Sequence, residues 1–217
     1  MQAKKTKAEL QDKDLLRYNR NIVLPEIDVD GQLSLLKSKI AVIGLGGIGC
    51  PTATYLASSG VGHLCLIDFD HVSLSNLNRQ VLFSEEDISE KKVEAAKKNL
   101  QLLNSEIDIK SIPRKIDNEF DKDLLKDYDY IIDDASHNPI HQKMTLFSMF
   151  QNLKSGGFFI IEEFNFFHAE NDKENPEKNF LRNLLIDFSK NSEKIYKEKY
   201  DEKIMSFLKD IKSVEIY

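Results

Sequence analysis

The sequence predicts an α/β fold: a doubly wound, mostly parallel sheet with helices on both faces, in a single domain. The chain has 217 residues, of which 41% are hydrophobic and 30% charged, a composition typical of soluble globular domains. Nearly continuous apolar runs such as KIAVIGL are typical of strands buried on both faces. These runs alternate with segments of helical periodicity, and this order favours parallel strands joined by helical crossovers.

The first part of the chain divides into an arm and the start of the sheet. Residues 1–38 are highly charged, and we expect them to form an N-terminal helical arm before a domain at 39–217. The apolar run at 39–45 predicts the first strand. A helix over 47–59 should follow and end at Gly60, because glycine is the favoured residue after a helix C-terminus.

The alternation continues through the rest of the chain. HLCLIDFD at 63–70 is a second apolar run and predicts a strand, and the spacing of aliphatic residues over 89–104 predicts an amphipathic helix. Three more strands and two more helices are expected: strands at 107–116, 128–134 and 158–164, and helices at 138–153 and 174–208.

Charge and cysteine content exclude several classes of function. The net charge of −6 disfavours a duplex nucleic-acid binder. Cys50 and Cys65 are the only cysteines, which excludes a four-cysteine zinc site and a disulfide framework. The first residues, MQAKKTKAELQDKD, have no apolar stretch, and no run of 18 apolar residues occurs. We therefore expect no secretory signal, no membrane span and a cytoplasmic location.

A glycine-rich turn follows the first predicted strand. GLGGIG contains Gly44, Gly46, Gly47 and Gly49, between a strand and a helix. Such a turn lets a phosphate approach the backbone and the helix N-terminus. Asp68 ends the second apolar run and could bind both ribose hydroxyls. The pattern predicts a Rossmann-like nucleotide site, and NAD, ATP and S-adenosylmethionine all remain candidates because each contains an adenosine ribose.

Three segments together carry a family resemblance. They are RYNRNIVLPEIDVDGQ before the glycines, DFDHVSLSNLNRQVLF from Asp68 onward, and KKVEAAKKNLQLLN after it. With these segments, residues 10–112 resemble the ThiF/MoeB/HesA family, bacterial relatives of the ubiquitin-activating enzymes. Members use Mg-ATP to adenylate the C-terminal glycine of a ubiquitin-like sulfur-carrier protein, and they release pyrophosphate.

The resemblance implies a role for each matching residue in ATP binding. Gly47 would let the backbone approach the phosphates, and Asp68 would hold the ribose. Asn76 and Arg79 would bind phosphate, with Arg79 as a planar donor fork. Lys92 would add a point charge to the phosphates.

Two further residues gain roles from the same resemblance. Arg20 matches the arginine that reaches into the ATP site of the partner subunit, which implies a homodimer. Asp70 would orient the loop or the metal. The implied catalytic residues are then Arg20, Arg79 and Lys92, the implied cofactors are ATP and Mg²⁺, and the implied partner is the sulfur carrier.

The family pattern changes after the third strand. Members carry D-x-T-D-N at the end of the next strand, whereas this chain has DDASH. Asp133 matches the first aspartate and Ser136 stands where the second, a contributor to metal binding, would be. Asp133 and Asp134 are the candidate metal ligands. Loss of the second aspartate also allows another hypothesis, that the chain is a nucleotide-binding pseudoenzyme without activity.

The last part of the chain carries a second resemblance. The ThiF-like front part of the domain extends to about residue 115. The back part, from about 125 to 217, resembles class I S-adenosylmethionine-dependent O-methyltransferases of the sugar and macrolide type. The segments IIDDASH and LKSGGFFIIEE carry this resemblance. In that group the strand-end acids bind a divalent metal. This implies, as the alternative function, a metal-assisted methyltransferase that uses S-adenosylmethionine, with His137 and His141 near the metal.

Overall fold

The described part of the chain folds around a five-stranded parallel sheet. The computed structural model describes residues 9–117, 119–136, 138–162, 183, 184, 204 and 211–213. The strands are β1 (Lys39–Ile43), β2 (His63–Ile67), β3 (Asp108–Ile112), β4 (Tyr128–Asp133) and β5 (Leu153–Ile161). Their order in the sheet is β3-β2-β1-β4-β5, and every neighbouring pair is parallel. This is the doubly wound order, so the predicted fold class is confirmed.

The described helices connect these strands or precede them. They are α1 (Asp12–Arg17), α2 (Asn19–Ile22), α3 (Asp28–Lys37), α4 (Gly49–Ser59), α5 (Lys92–Leu103) and α6 (Pro139–Met149). Within the described residues, short 3₁₀ helices lie at Leu74–Asn76, Glu85–Asp87, Lys122–Leu125 and Phe150–Asn152. Among the described helices, none is long and apolar enough to cross a membrane. The helix predicted at 174–208 lies outside the described residues, apart from isolated positions.

Two hydrophobic clusters bury the two faces of the sheet. Successive side chains of a strand point to opposite faces, and β1 shows this clearly. Ile40 and Val42 belong to the cluster that packs against α4 and α5. Ala41 and Ile43 belong to the other cluster, together with Met149 of α6. The apolar runs are continuous because both faces of these strands are covered.

The N-terminal helices are attached to the end of α4 that is remote from the glycine turn. Tyr18 is buried, and its hydroxyl accepts a hydrogen bond from Asn104 Nδ2 at 3.0 Å. The carbonyl oxygen of Ser59 accepts hydrogen bonds from the side-chain amides of Asn21 (3.3 Å) and Gln32 (2.9 Å). These contacts hold α2 and α3 against the last turn of α4. The predicted division between arm and domain stays a prediction.

The fifth strand begins earlier than the sequence predicts. It starts at Leu153 and includes the KSGG segment, which has a turn-like composition. Tyr128 pairs with Leu153, but Tyr130 pairs with Phe158, so the register shifts between these pairs. Gly156 lies in this shift with φ +85°, a conformation that glycine adopts at low cost. The extra residues are therefore accommodated as an irregularity within the strand.

Candidate active site

The strand order places a crevice beside the carboxyl ends of β1 and β4. The chain leaves β1 into α4 and leaves β4 into α6, and these helices cover opposite faces of the sheet. In open α/β sheets this divergence is where ligands bind. The Asp134 N–H donates to the Ile43 carbonyl at 2.8 Å, which joins the two strand ends. The turn after β1 and the acids after β4 therefore line one crevice.

The four glycines of the turn differ in how much room a side chain would have at each position. Gly44 has φ +90°, and a Cβ there would lie 2.4 Å from the Asp134 carbonyl oxygen. A Cβ on Gly49 would lie 2.0 Å from the Gly44 carbonyl oxygen. Gly46 and Gly47 have more room, because the nearest atoms to their Cβ positions are Asp134 Oδ2 at 3.5 Å and Arg79 Cδ at 3.7 Å. Gly44 and Gly49 therefore shape the turn, while Gly46 and Gly47 form its accessible surface.

Asp68 is held in place by backbone donors at the end of β2. Its Oδ2 accepts a hydrogen bond from the Leu45 N–H at 2.7 Å, and its Oδ1 accepts one from the Asp70 N–H at 2.8 Å. Lys92 Nζ lies 3.9 Å from Asp68 Oδ2 and 3.5 Å from Asp70 Oδ2. The Lys92 side chain is only 7% exposed, so its charge acts from beneath the surface. β2 ends at Ile67 because these acids leave the strand to make the contacts.

A cavity of about 260 Å³ lies at the glycine turn. Arg79 Nη1 donates to the Ser75 carbonyl and to Asn78 Oδ1, both at 3.0 Å. Asn76 Oδ1 accepts the Ser73 N–H at 3.1 Å and so caps the turn that carries Arg79. The residues that line the cavity are Gly46, Gly47, Ile48, Arg79, Gln80, Asp134, Ala135 and Glu162.

The segment that carries Arg79 is fixed to α5 by a buried acid. Asp87 is 1% exposed and pairs with Lys98 Nζ at 2.7 Å, and its Oδ2 accepts hydrogen bonds from Asn99 Nδ2 and the Ser84 N–H. Burial raises the pKa of Asp87, but the ion pair with Lys98 and these hydrogen bonds outweigh it and lower the pKa to about 2. The acid is thus charged at neutral pH and holds the loop in place.

The two acids after β4 occupy different surroundings. Asp133 is 2% exposed, and its Oδ1 accepts the Ala135 N–H at 3.2 Å. Asp134 lines the cavity, and its Oδ2 accepts the Gly49 N–H at 2.7 Å, where the dipole of α4 favours a negative charge. Among the described residues, no three His, Cys, Asp or Glu side chains cluster closely enough to hold a metal. The assignment of Asp133 and Asp134 as metal ligands stays a prediction.

The residues after these acids form a hydrogen-bonded pair. Ser136, which stands in place of the family aspartate, lies 3.0 Å through its Oγ from His141 Nδ1. His137 lies outside the described residues.

Arg20 is not brought to the cavity of its own chain. It is exposed on α2. The next residue, Asn21, donates a side-chain hydrogen bond to the Ser59 carbonyl at the end of α4. The cavity is lined by Gly46, Gly47 and Ile48, directly before α4 begins at Gly49. The 11 residues of α4 separate the two ends by about 16 Å at 1.5 Å per residue.

Sequence reasoning singled out neither Gln80 nor Ile48, although both line the cavity. Gln80 follows Arg79 directly in the SNLNRQ segment, so its position next to a predicted phosphate ligand was an available signal. Ile48 gave no such signal, because one aliphatic residue inside a glycine turn is ordinary.

Comparison with known proteins decides the family of this chain. The sequence model of the ThiF family matches residues 18–152, which include the glycine turn, Asp68, Arg79 and the acids after β4. The chain belongs to the ThiF family.

Curated relatives and a solved structure agree with this assignment. The chain is 43% identical over 136 residues to molybdopterin-synthase adenylyltransferase of Haemophilus influenzae, covering 63% of this chain and 56% of the relative. It is 41% identical over 135 residues to the sulfur carrier protein ThiS adenylyltransferase of Escherichia coli, covering 62% and 54%. The crystal structure of E. coli MccB with ATP matches with a TM-score of 0.50 and 36% identity, covering 56% and 37%. This ThiF-family chain thus spans about half the length of these curated relatives.

The extent of the ThiF match corrects the second resemblance. The match continues through β4 and α6 to residue 152, whereas the sequence analysis ended the ThiF-like part near 115 and assigned residues from about 125 to a methyltransferase-like part. The resemblance to O-methyltransferases is not supported. In this chain IIDDASH ends β4 and LKSGG begins β5, two strands of the same parallel sheet.

Proposed function

We propose that this ThiF-family chain binds Mg-ATP and adenylates the C-terminal carboxylate of a ubiquitin-like sulfur-carrier protein, with release of pyrophosphate. The observation that carries the proposal is the fixed carboxylate of Asp68 beside the glycine turn, with Arg79 over Gly47 at the adjoining cavity. The adenylyltransferase names of the relatives and the ATP in the MccB structure support it.

Each part of ATP has a matching group in this chain. Each carboxylate oxygen of Asp68 accepts one backbone N–H and keeps further acceptor capacity for ribose hydroxyls. The open surface of Gly47 and the guanidinium of Arg79 suit the phosphates. Attack of the carrier carboxylate on the α-phosphate forms an acyl–oxygen–phosphorus link and breaks the bond to the leaving pyrophosphate. Arg79 would stabilise the charge that develops on the phosphates.

The proposed Mg²⁺ would bind together with the ATP phosphates, and Asp134 would be its protein ligand. Magnesium in nucleotide sites is commonly bound by one or two carboxylates together with phosphate oxygens and water. Asp134 fits this role because its carboxylate lines the cavity. Asp133 is buried and would support the strand end beneath it.

Carrier-dependent exchange of labelled pyrophosphate into ATP tests the proposed function. We expect exchange when the chain is incubated with Mg-ATP and a sulfur-carrier protein that ends in glycine. A carrier with an amidated C-terminus is the matched control, because it lacks the attacking carboxylate. Equal signals from the free and the amidated carrier, under conditions where ATP binds, would refute the reaction.

We further propose that the active form is a homodimer in which Arg20 of one subunit completes the site of the other. The support is the position of Arg20, exposed and remote from the cavity of its own chain. Arg20→Ala and Arg79→Ala are each expected to lose exchange activity. A mixture of the two should regain about a quarter of wild-type activity, since random pairing makes half of the dimers mixed and each mixed dimer has one intact site. No recovery in a mixture shown to form mixed dimers would exclude sharing.

A further inference from the structure

We propose that Gln80 binds the carrier tail, through a hydrogen bond that its Oε1 accepts from a peptide N–H of that tail. This deepens the proposed function and rests on it. Gln80 is 3% exposed and lines the cavity next to Arg79 and Gly47. Its Oε1 is buried and has no hydrogen-bond partner among the described residues. A buried acceptor without a donor is rare in native proteins and calls for a specific reason.

Among the described residues, no contact requires an amide at this position. The Gln80 N–H donates to the Asn76 carbonyl at 2.9 Å, and the Gln80 carbonyl accepts the Phe83 N–H at 3.1 Å, so the turn is satisfied by the backbone alone. The adjacent Arg79 directs Nη1 to Ser75 and Asn78. An apolar side chain of the same shape would avoid the cost of burying the orphaned oxygen. The amide is therefore better explained by a bound ligand than by folding.

The hydrogen-bonding chemistry of Gln80 Oε1 indicates which group of the ligand it can bind. Oε1 only accepts hydrogen bonds, so the ligand must donate one. The triphosphate of ATP offers acceptors alone at neutral pH. The ribose hydroxyls belong at Asp68, which is not among the residues that line this cavity. The tail of the carrier brings a carboxylate, which accepts, and peptide N–H groups, which donate. The adenine amino group also donates, but the ribose separates it from the phosphates that Gly47 and Arg79 would bind. Water bound to Mg²⁺ donates as well, and the Mg-ATP affinity of a Gln80 variant distinguishes it from the tail. We assign to Gln80 the peptide N–H that lies beside the attacking carboxylate.

Calorimetric titration with tail peptides tests this assignment separately from catalysis. The probes are a synthetic peptide ending in glycine and its ester analogue, in which an oxygen replaces the N–H of the last peptide bond. The wild-type chain should bind the native peptide about tenfold more tightly than the ester, the usual effect of one hydrogen bond to a buried partner. Gln80→Met should bind both equally, because the pairing group is absent.

Three controls separate binding from structure. Gln101→Met changes an exposed glutamine of α5 and should leave all affinities unchanged. Gln80→Met should keep the ATP affinity within twofold, and its melting temperature should equal or exceed that of the wild type. A lower melting temperature with unchanged peptide selectivity would make Gln80 structural, and a selective loss of ATP affinity would assign it to the nucleotide; either overturns the proposal. Because no turnover is needed, failure of pyrophosphate exchange would reject the proposed function alone.

Discussion

Gly49→Ala is expected to lower the free energy of unfolding by about 3 kcal/mol, at the upper end of overpacking effects. A methyl group there would lie 2.0 Å from the Gly44 carbonyl oxygen. That oxygen cannot move away easily, because the Gly44 N–H donates to the Ile67 carbonyl and Gly44 itself is pressed against Asp134. Helix propensity alone predicts the opposite sign, since alanine within a helix is about 1 kcal/mol better than glycine. Urea unfolding followed by circular dichroism measures the difference.

Gly47→Ala is the matched control for this prediction. The nearest atoms to its added Cβ are Arg79 Cδ at 3.7 Å and Arg79 Cγ at 3.8 Å, which are ordinary contacts with a flexible side chain. Its stability should change by less than about 0.5 kcal/mol. Similar unfolding midpoints for the two variants would show that the close approach of Gly49 and Gly44 does not control the fold of the turn.

Arg79→Ala is expected to weaken Mg-ATP binding about 30-fold or more, equivalent to about 2 kcal/mol for lost charge-assisted hydrogen bonds to phosphate. The guanidinium is held in advance by Ser75 and Asn78, and the side chain lies over Gly47. Little conformational entropy is then lost when phosphate binds. Isothermal titration calorimetry with Mg-ATP measures the change directly.

The matched control is an arginine in a different part of the molecule. Arg17 on α1 is exposed, and its Nη1 donates to the Leu103 carbonyl at 3.1 Å. Arg17→Ala makes the same change in net charge and should leave ATP affinity unaltered. Arg79→Lys should fall between wild type and Arg79→Ala, because lysine keeps the charge but not the planar fork. Equal losses in Arg17→Ala and Arg79→Ala would mean that only net charge matters.

Most of the sheet could be predicted because its signals are local. The run at 39–45 contains β1, and 63–70 contains β2, since parallel strands covered on both faces must be apolar throughout. The predicted bounds of 63–70 were three residues too long, because Asp68 leaves the strand to accept hydrogen bonds from the N–H groups of Leu45 and Asp70. Such side-chain contacts carry no periodic signal. The shift in β5 was missed for a similar reason, because register depends on the neighbouring strand.

The candidate site was predicted unevenly. Spacing indicated the glycine turn and Asp68, and the resemblance added Arg79 and Lys92. Neither could show that Lys92 lies beneath the surface between two acids. Neither could show that Gln80 lines the cavity or that its side-chain oxygen is buried without a donor among the described residues, because burial is a property of the packed molecule.

By itself the sequence determined the alternation of strands and helices and the glycine turn, because steric and hydrophobic preferences act between near neighbours in the chain. Its motifs also carried the ThiF-family resemblance. Only the tertiary structure decided what those elements bring together. Asp134 binds the N–H of Gly49 across 85 residues of sequence. This contact exists because β1 and β4 pair in parallel, so that their carboxyl ends, and the groups that follow them, meet at one edge of the sheet.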